Sequence, residues 1–180
     1  MAFEEDLEKG IELVEDEEYD ESLEIAHKLQ KMEPDSADGF HLQAIIMQHQ
    51  QRFDESIKVL DKAIDNAPYD AGLYNQRGFA KMSTDKLDEA RKDFEEAIEL
   101  EDLEAAHRNL VLVDILLDKG NQAVEYLVTR IKENPKDVEN WILMGDLMSK
   151  GGQKEKARGY YEQAQKMAPD NEYLKKVLDS

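Results

Sequence analysis

Four histidines and 42 carboxylates are the side chains through which this chain could do acid–base or metal chemistry. The histidines are His27, His41, His49 and His107. A helical zinc site wants two imidazoles four residues apart, often as HExxH with the glutamate as base. No pair has that spacing, and His41 and His49 stand eight apart, two turns along a helix and too far to share an ion. With no cysteine there is no disulfide, thiolate metal site or cysteine nucleophile. A GxSxG serine elbow, a Walker phosphate loop and a GxGxxG turn are also missing from the sequence. Carboxylate pairs abound, but in an acidic helical chain they read as solvated faces. The sequence supports no catalysis and implies no metal or cofactor.

Charge narrows the partners. The formal net charge is −19 over 180 residues, and it is unevenly spread. Residues 1–36 hold 14 acids and 3 bases, residues 37–137 hold 21 and 13, and residues 138–180 hold 7 and 7. Such a field repels nucleic-acid phosphates and anionic lipid heads, so neither is an expected partner. Two readings of the acidity stand: solubility, or attraction of a basic partner to the first third. No run of 18 apolar residues occurs, so no membrane insertion is expected. The start, MAFEEDLEKG, is acidic where a secretory leader is basic and then apolar, which places the expected location in the cytoplasm.

The elements that must position any site follow from a repeat. The four-residue phrases Tyr19–Ser22 (YDES), Phe53–Ser56 (FDES) and Leu87–Ala90 (LDEA) recur every 34 residues. The four prolines, Pro34, Pro68, Pro135 and Pro169, are spaced 34, 67 and 34 apart, with Asp102 standing where one is missing. Aligned on these unit-ending residues, a small column appears at Ser22, Ser56, Ala90, Ala123 and Ala157. A second column is Gly10, Ala44, Gly78, Val111 and Gly145, and a bulky one is Ala26, Leu60, Phe94, Leu127 and Tyr161. Steps of three and four within each unit predict two helices of about 13 residues. Breaks are expected at Glu17–Glu18, Gln50–Gln51, Thr84–Asp85, Gly120 and Gly151–Gly152. Proline ends four of the five second helices, and Asp35–Ser36, Asp70, Asp137 or Asp170 then caps the next. The columns are expected to pair as knobs and holes, with Phe94 against Gly78 and Tyr161 against Gly145.

This pattern resembles the tetratricopeptide repeats, whose 34-residue helix–turn–helix unit runs aromatic, Leu-Gly, Tyr, then Ala, Phe, Ala and a closing Pro. Residues 138–171 match best, through Trp141, Met144, Gly145, Met148, Ala157, Tyr161, Ala164 and Pro169. Residues 71–103 follow with Tyr74, Gly78, Ala90, Phe94 and Ala97. Departures gather in the first unit (Asp6, Leu29) and the fourth (His107, Val111, Arg130). The resemblance implies an all-α superhelix, or solenoid, formed as a single domain over residues 1–180. Its units are 3–36, 37–70, 71–103, 104–137 and 138–171, closed by a capping segment at 172–180.

The resemblance also places the first helix of each unit on a concave inner wall. That wall would carry Leu7, Ile11, His41, Ile45, Asn75, Phe79, Met82, Arg108, Leu112, Ile115, Ile142 and Asp146. It is mainly apolar in four units, with Asn75, Arg108 and Asp146 interspersed. Some of these residues would simply pack on the adjacent helix; alternatively they line a groove for an extended or helical segment of another protein. The Lys and Asn clamp with which some relatives hold a terminal carboxylate is not reproduced. Leu7 and Ile11 stand at its positions in the first unit, and Glu139 and Leu143 in the fifth.

The resulting expectation is a non-catalytic scaffold or adaptor that binds a partner segment. Self-assembly and chaperone-like holding of a partner are the alternatives. The register itself is testable at the small column. Ala90→Leu should overpack the helix crossing and cost about 1–3 kcal/mol, read as a lowered thermal midpoint.

Overall fold

Residues 2–179 are described by a computed structural model, in which helices are the only regular elements among the described residues. They are α1 (Ala2–Glu15), α2 (Tyr19–Met32), α3 (Asp38–His49), α4 (Phe53–Asn66), α5 (Ala71–Ser83), α6 (Leu87–Leu100), α7 (Glu104–Leu116), α8 (Gly120–Glu133), α9 (Val138–Lys150), α10 (Lys154–Met167) and α11 (Glu172–Leu178). The all-α, tandem helix-pair architecture expected from the repeat is the one observed. The YDES, FDES and LDEA phrases open α2, α4 and α6.

The chain forms two compact units, Met1–Asn109 and Leu110–Ser180, whose boundary lies within α7. In the first unit each helix from α2 to α6 packs on the one before it, and α1 also meets α3. Its apolar clusters run from Val14, Ala26, Leu29, Leu42 and Ile46 to Ala44, Leu60, Ala63 and Leu73, and then to Ala71, Ala97 and Ala106. In the second unit α8 packs on α9, α9 on α10 and α10 on α11. One cluster joins Val111, Leu127, Met144, Tyr161 and Leu174, with Val177 and Leu178 packed against it.

The two helices of a repeat cross closely, and the sequence columns show why. A Cβ at Gly78 would lie 2.6 Å from the Phe94 ring, and one at Gly145 would collide with Tyr161. The opposing column is sealed as well: Ala90 and Ala123 are fully buried. Where that column holds serine, the hydroxyl donates across the crossing. Ser22 Oγ reaches the Gly10 carbonyl at 2.7 Å, and Ser56 Oγ the Ala44 carbonyl at 3.2 Å. A small residue is therefore required there, and a hydroxyl adds a bond that the alanine units lack.

Every first helix ends in the same left-handed cap. Glu17, Gln51, Asp85, Asp118 and Gly152 all have positive φ, between 59° and 73°. The next amide in each case reaches back five residues. Arg52 N–H meets the Met47 carbonyl at 2.8 Å, and Gln153 N–H the Met148 carbonyl at 2.9 Å. Gln51 and Gly152 add the companion bond to Gln48 and Ser149, both at 2.9 Å. These bonds satisfy carbonyls that a helix end leaves open. Glycine is the low-cost residue at such a position, yet it occurs only in the last turn. The fourth turn corrects the sequence reading: Gly120 is the first residue of α8, and Asp118 takes the left-handed conformation. With no φ constraint to meet, Gly120 does not mark the break.

Second helices start without a side-chain cap at Glu18, Arg52 and Lys86. Instead an Asp-Glu pair lies in the first turn of α2, α4 and α6, where negative charge favours the exposed amides. Two first helices, α5 and α9, use capping side chains: Asp70 accepts from Gly72 and Leu73, and Asp137 from Glu139. At α11 the cap is Asn171, not Asp170, and Ser36 Oγ accepts from the Asp38 amide ahead of α3.

The left-handed turns yield opposed expectations. Gln51→Gly should stabilise by about 0.5–1 kcal/mol, because it removes Cβ strain at positive φ. Gly152→Ala should destabilise by about 1 kcal/mol. Chemical denaturation of both variants checks the pair, and equal signs would contradict the cap geometry.

Candidate functional site

In the first unit the odd-numbered helices contribute one column of side chains from turns at equivalent repeat positions. The column begins on α1, where Leu7 is half-buried on the core and Ile11 is 44% exposed. On α3, His41 and Ile45 are half-buried, Ile45 packing beside Leu42 and Ile46. On α5, Phe79 is 40% exposed and meets the Phe53 ring edge-on at 6.1 Å between centroids, while Met82 is half-buried. Arg108 on α7 is exposed.

Polar ties hold these helices in register. Gln48 Nε2 donates to the Gln76 carbonyl and to Ser56 Oγ, both at 3.2 Å. Asn109 Nδ2 donates to Asn75 Oδ1 at 3.0 Å, linking equivalent residues 34 apart. Asn75 thus belongs to a side-chain ladder between α5 and α7. His41 is enclosed, its Nε2 shut off from solvent. Burial pushes this imidazole below its usual range, outweighing the opposite pull of Asp70 and Asp38.

The remaining sequence-derived positions lie in the second unit. Leu112 is 39% exposed, and Ile115 packs partly on the core. Ile142 is 7% exposed and sits inside the core cluster. Asp146 accepts hydrogen bonds from Tyr161 Oη, at 2.7 Å, and from Tyr173 Oη on α11. Burial and the Asp146 carboxylate hold both phenols above their usual range. Asp146 is committed to docking α11, and Ile142 to packing.

Two features had no counterpart in the sequence reading, and a third refines the charge asymmetry read there. A charge cluster on α4, α5 and α6 has Asp93 at its centre, with its side chain 6% exposed. Arg77 grips it with two bonds of 3.0 and 2.7 Å, Lys81 approaches to 2.9 Å, and Arg77 also pairs with Asp61 at 2.8 Å. Burial opposes the Arg77 charge, yet Asp93 and Asp61 together hold the guanidinium above its usual range. The second feature concerns the aromatic column. Tyr74 Oη donates to the Pro68 carbonyl at 3.2 Å, and Trp141 Nε1 to the Pro135 carbonyl at 2.9 Å. Where the proline is replaced, buried His107 pairs instead with the Asp102 carboxylate. Residue spacing held a signal for this latch, since each aromatic follows its proline by six.

The third feature is that charge follows the structural division. Residues 1–109 hold 30 acids and 12 bases, a net of −18, whereas residues 110–180 hold 12 and 11, a net of −1. On α1, Glu8 and Glu15 are exposed one turn either side of Ile11. Among the described residues no three His, Asp or Glu side chains converge as metal ligands, and no helix is long and apolar enough to cross a membrane.

Paired helices repeating every 34 residues, with small crossings and a latch to the preceding proline, define a helical-repeat protein. The chain belongs to the tetratricopeptide repeat family: one model of that description matches residues 7–71, and a second matches 71–102 and 138–171. The α7–α8 pair lies outside those matches, in keeping with its His107, Val111 and Arg130. A search of curated proteins by sequence gives no match. Similar solved structures include PilW, a type IV pilus biogenesis factor, at TM-score 0.80 and 16% identity, covering 99% of this chain and 87% of that one. Pseudomonas aeruginosa pilF is similar at TM-score 0.78 and 21% identity, covering 96% and 79%. YrrB, described as a TPR protein with an unusual peptide-binding site, has TM-score 0.69 and 14% identity over 97% and 91%. At these identities the likeness is one of fold.

The enclosed His41 carries a pH expectation. Its folded-state pKa lies below the ordinary value of about 6.5, so its contribution to stability is complete above that pH. As pH falls through the window beneath it, the unfolded chain takes up the proton first and stability drops. Wild type should therefore lose more thermal stability than His41→Phe between neutral and mildly acidic pH. Parallel losses in the two proteins would contradict the burial argument.

Proposed function

We propose that the protein is a non-catalytic interaction module, and that the odd-helix face of its first unit receives a segment of a partner protein. One observation carries this reading. Ile11 and Phe79 occupy the same position in units one and three, and they remain 44% and 40% exposed in a chain that buries its other repeat-defining apolar columns. Ile45 continues the column between them, half-buried. Repeated exposure at one position makes a strip, whereas unrelated exposed residues would scatter.

The face is also held in place before anything binds. The Gln48 and Asn109 bonds fix α3, α5 and the start of α7 relative to one another. The cost of ordering a receptor surface on binding is correspondingly small. A helix or extended segment would present its apolar side chains to the strip and leave its polar side in water. The peptide-binding site named for YrrB is consistent with this use of the fold.

The test compares affinity capture by wild type with capture by the Ile11→Glu/Phe79→Glu variant, both checked as folded by circular dichroism. A partner that wild type retains and the variant loses, and whose captured segment binds as an isolated peptide, is the expected result. A folded variant that recovers the same partners equally well sinks the proposal.

A further inference from the structure

We propose that the segment received by the first unit is a basic amphipathic one, with apolar anchors along one side and lysine or arginine beside them. This rests on the reading that the Ile11–Ile45–Phe79 strip is the docking face. The strip is the site; the charge around it selects the occupant.

Three observations favour a cationic occupant. The unit that bears the strip has a net charge of −18, against −1 for the other unit. The asymmetry therefore belongs to the docking unit and is not a uniform solubilising coat. On the strip itself, exposed Ile11 is flanked at i−3 and i+4 by Glu8 and Glu15, both exposed and without an ion pair among the described residues. Asp38, exposed, stands one turn before His41 on the neighbouring helix, and its carboxylate accepts a hydrogen bond from the neutral Ser36 hydroxyl. Some other acids of the unit are already paired with cations. Asp93 is gripped by Arg77 and Lys81, and Asp54 by Lys86. Glu8, Glu15 and Asp38 are exposed carboxylates that stand beside the apolar anchors, where a ligand's cations would meet them.

The physical consequence is a division of labour. Apolar contact along Ile11 and Phe79 supplies attraction that salt does not weaken. Glu8, Glu15 and Asp38 orient the ligand, speed its approach and reject acidic segments of the same apolar pattern. An acidic amphipathic segment would bring like charges against unpaired carboxylates, so the face discriminates by sign as well as by shape.

The experiment sorts a displayed library of short helical peptides on the full chain. It counter-sorts against the Ile11→Ser/Phe79→Ser variant, which keeps every charge. Enriched peptides should carry a net positive charge with apolar residues at helical spacing. Binding of one such peptide should weaken about fivefold in Glu8→Gln/Glu15→Gln and fall further as salt is raised. If enriched peptides are neutral or acidic yet still lost in the serine variant, the docking face stands and the basic occupant is overturned. Cationic peptides that bind wild type and serine variant alike overturn the docking face, because charge alone then accounts for binding. Failure to enrich any peptide overturns the basic occupant, and the affinity-capture comparison then decides the face independently. Indifference of a strip-dependent cationic peptide to Glu8→Gln/Glu15→Gln also overturns the assignment of charge.

Discussion

Close approach of two antiparallel helices is the constraint on which each repeat depends. At Gly78 the backbone of α5 lies against the Phe94 ring of α6 with no room for a methyl group, and Gly145 and Tyr161 repeat the arrangement. The missing side chain on one helix makes space for the ring on the other. That ring closes the core, and Phe94 is fully buried. Gly10 and Ala44 accept hydroxyl bonds from Ser22 and Ser56 at the same crossing, so the contact is polar in the first two repeats and purely steric in the others. Interiors at this density do not absorb added volume without moving backbone.

Because the crossings hold each pair, the turns between the helices tolerate residues that are poor choices on local grounds. Four of the five left-handed positions are Glu, Gln or Asp. Five repeated hydrogen-bonded caps and the packing beneath them impose that conformation on side chains that would otherwise avoid it. The polar latches work in the same way between neighbouring repeats. Tyr74 and Trp141 use their ring polar atoms on the carbonyl of the preceding proline. His107 and Asp102 answer each other where both usual residues are absent.

Function is left to positions that packing does not consume. Buried columns, capped turns and the Arg77–Asp93–Lys81 cluster account for most of the distinctive side chains of the first unit. Ile11, Phe79, Glu8 and Glu15 remain outside that accounting, and all four are exposed. Asp146 and Ile142, at positions equivalent to exposed ones elsewhere, are used up by α11 and by the core. The repeat thus supplies similar positions many times, and local neighbours decide which of them face solvent.

Sequence alone determined the helix pairs, their 34-residue period and the knob-and-hole columns. Those follow from periodicity and residue volume, which are local properties repeated five times. It also led to a column of candidate binding residues, because one helical face can be counted off from the glycine column. Tertiary structure decided which of those residues are available. Exposure depends on what the neighbouring helix, or α11, lays over each position, and a one-dimensional register does not encode that cover. It likewise decided that Asp118 and not Gly120 makes the fourth turn, and that Asp93 gathers two cations from α5. Both are outcomes of where the surrounding helices hold the backbone, since neither residue type prefers that role by itself.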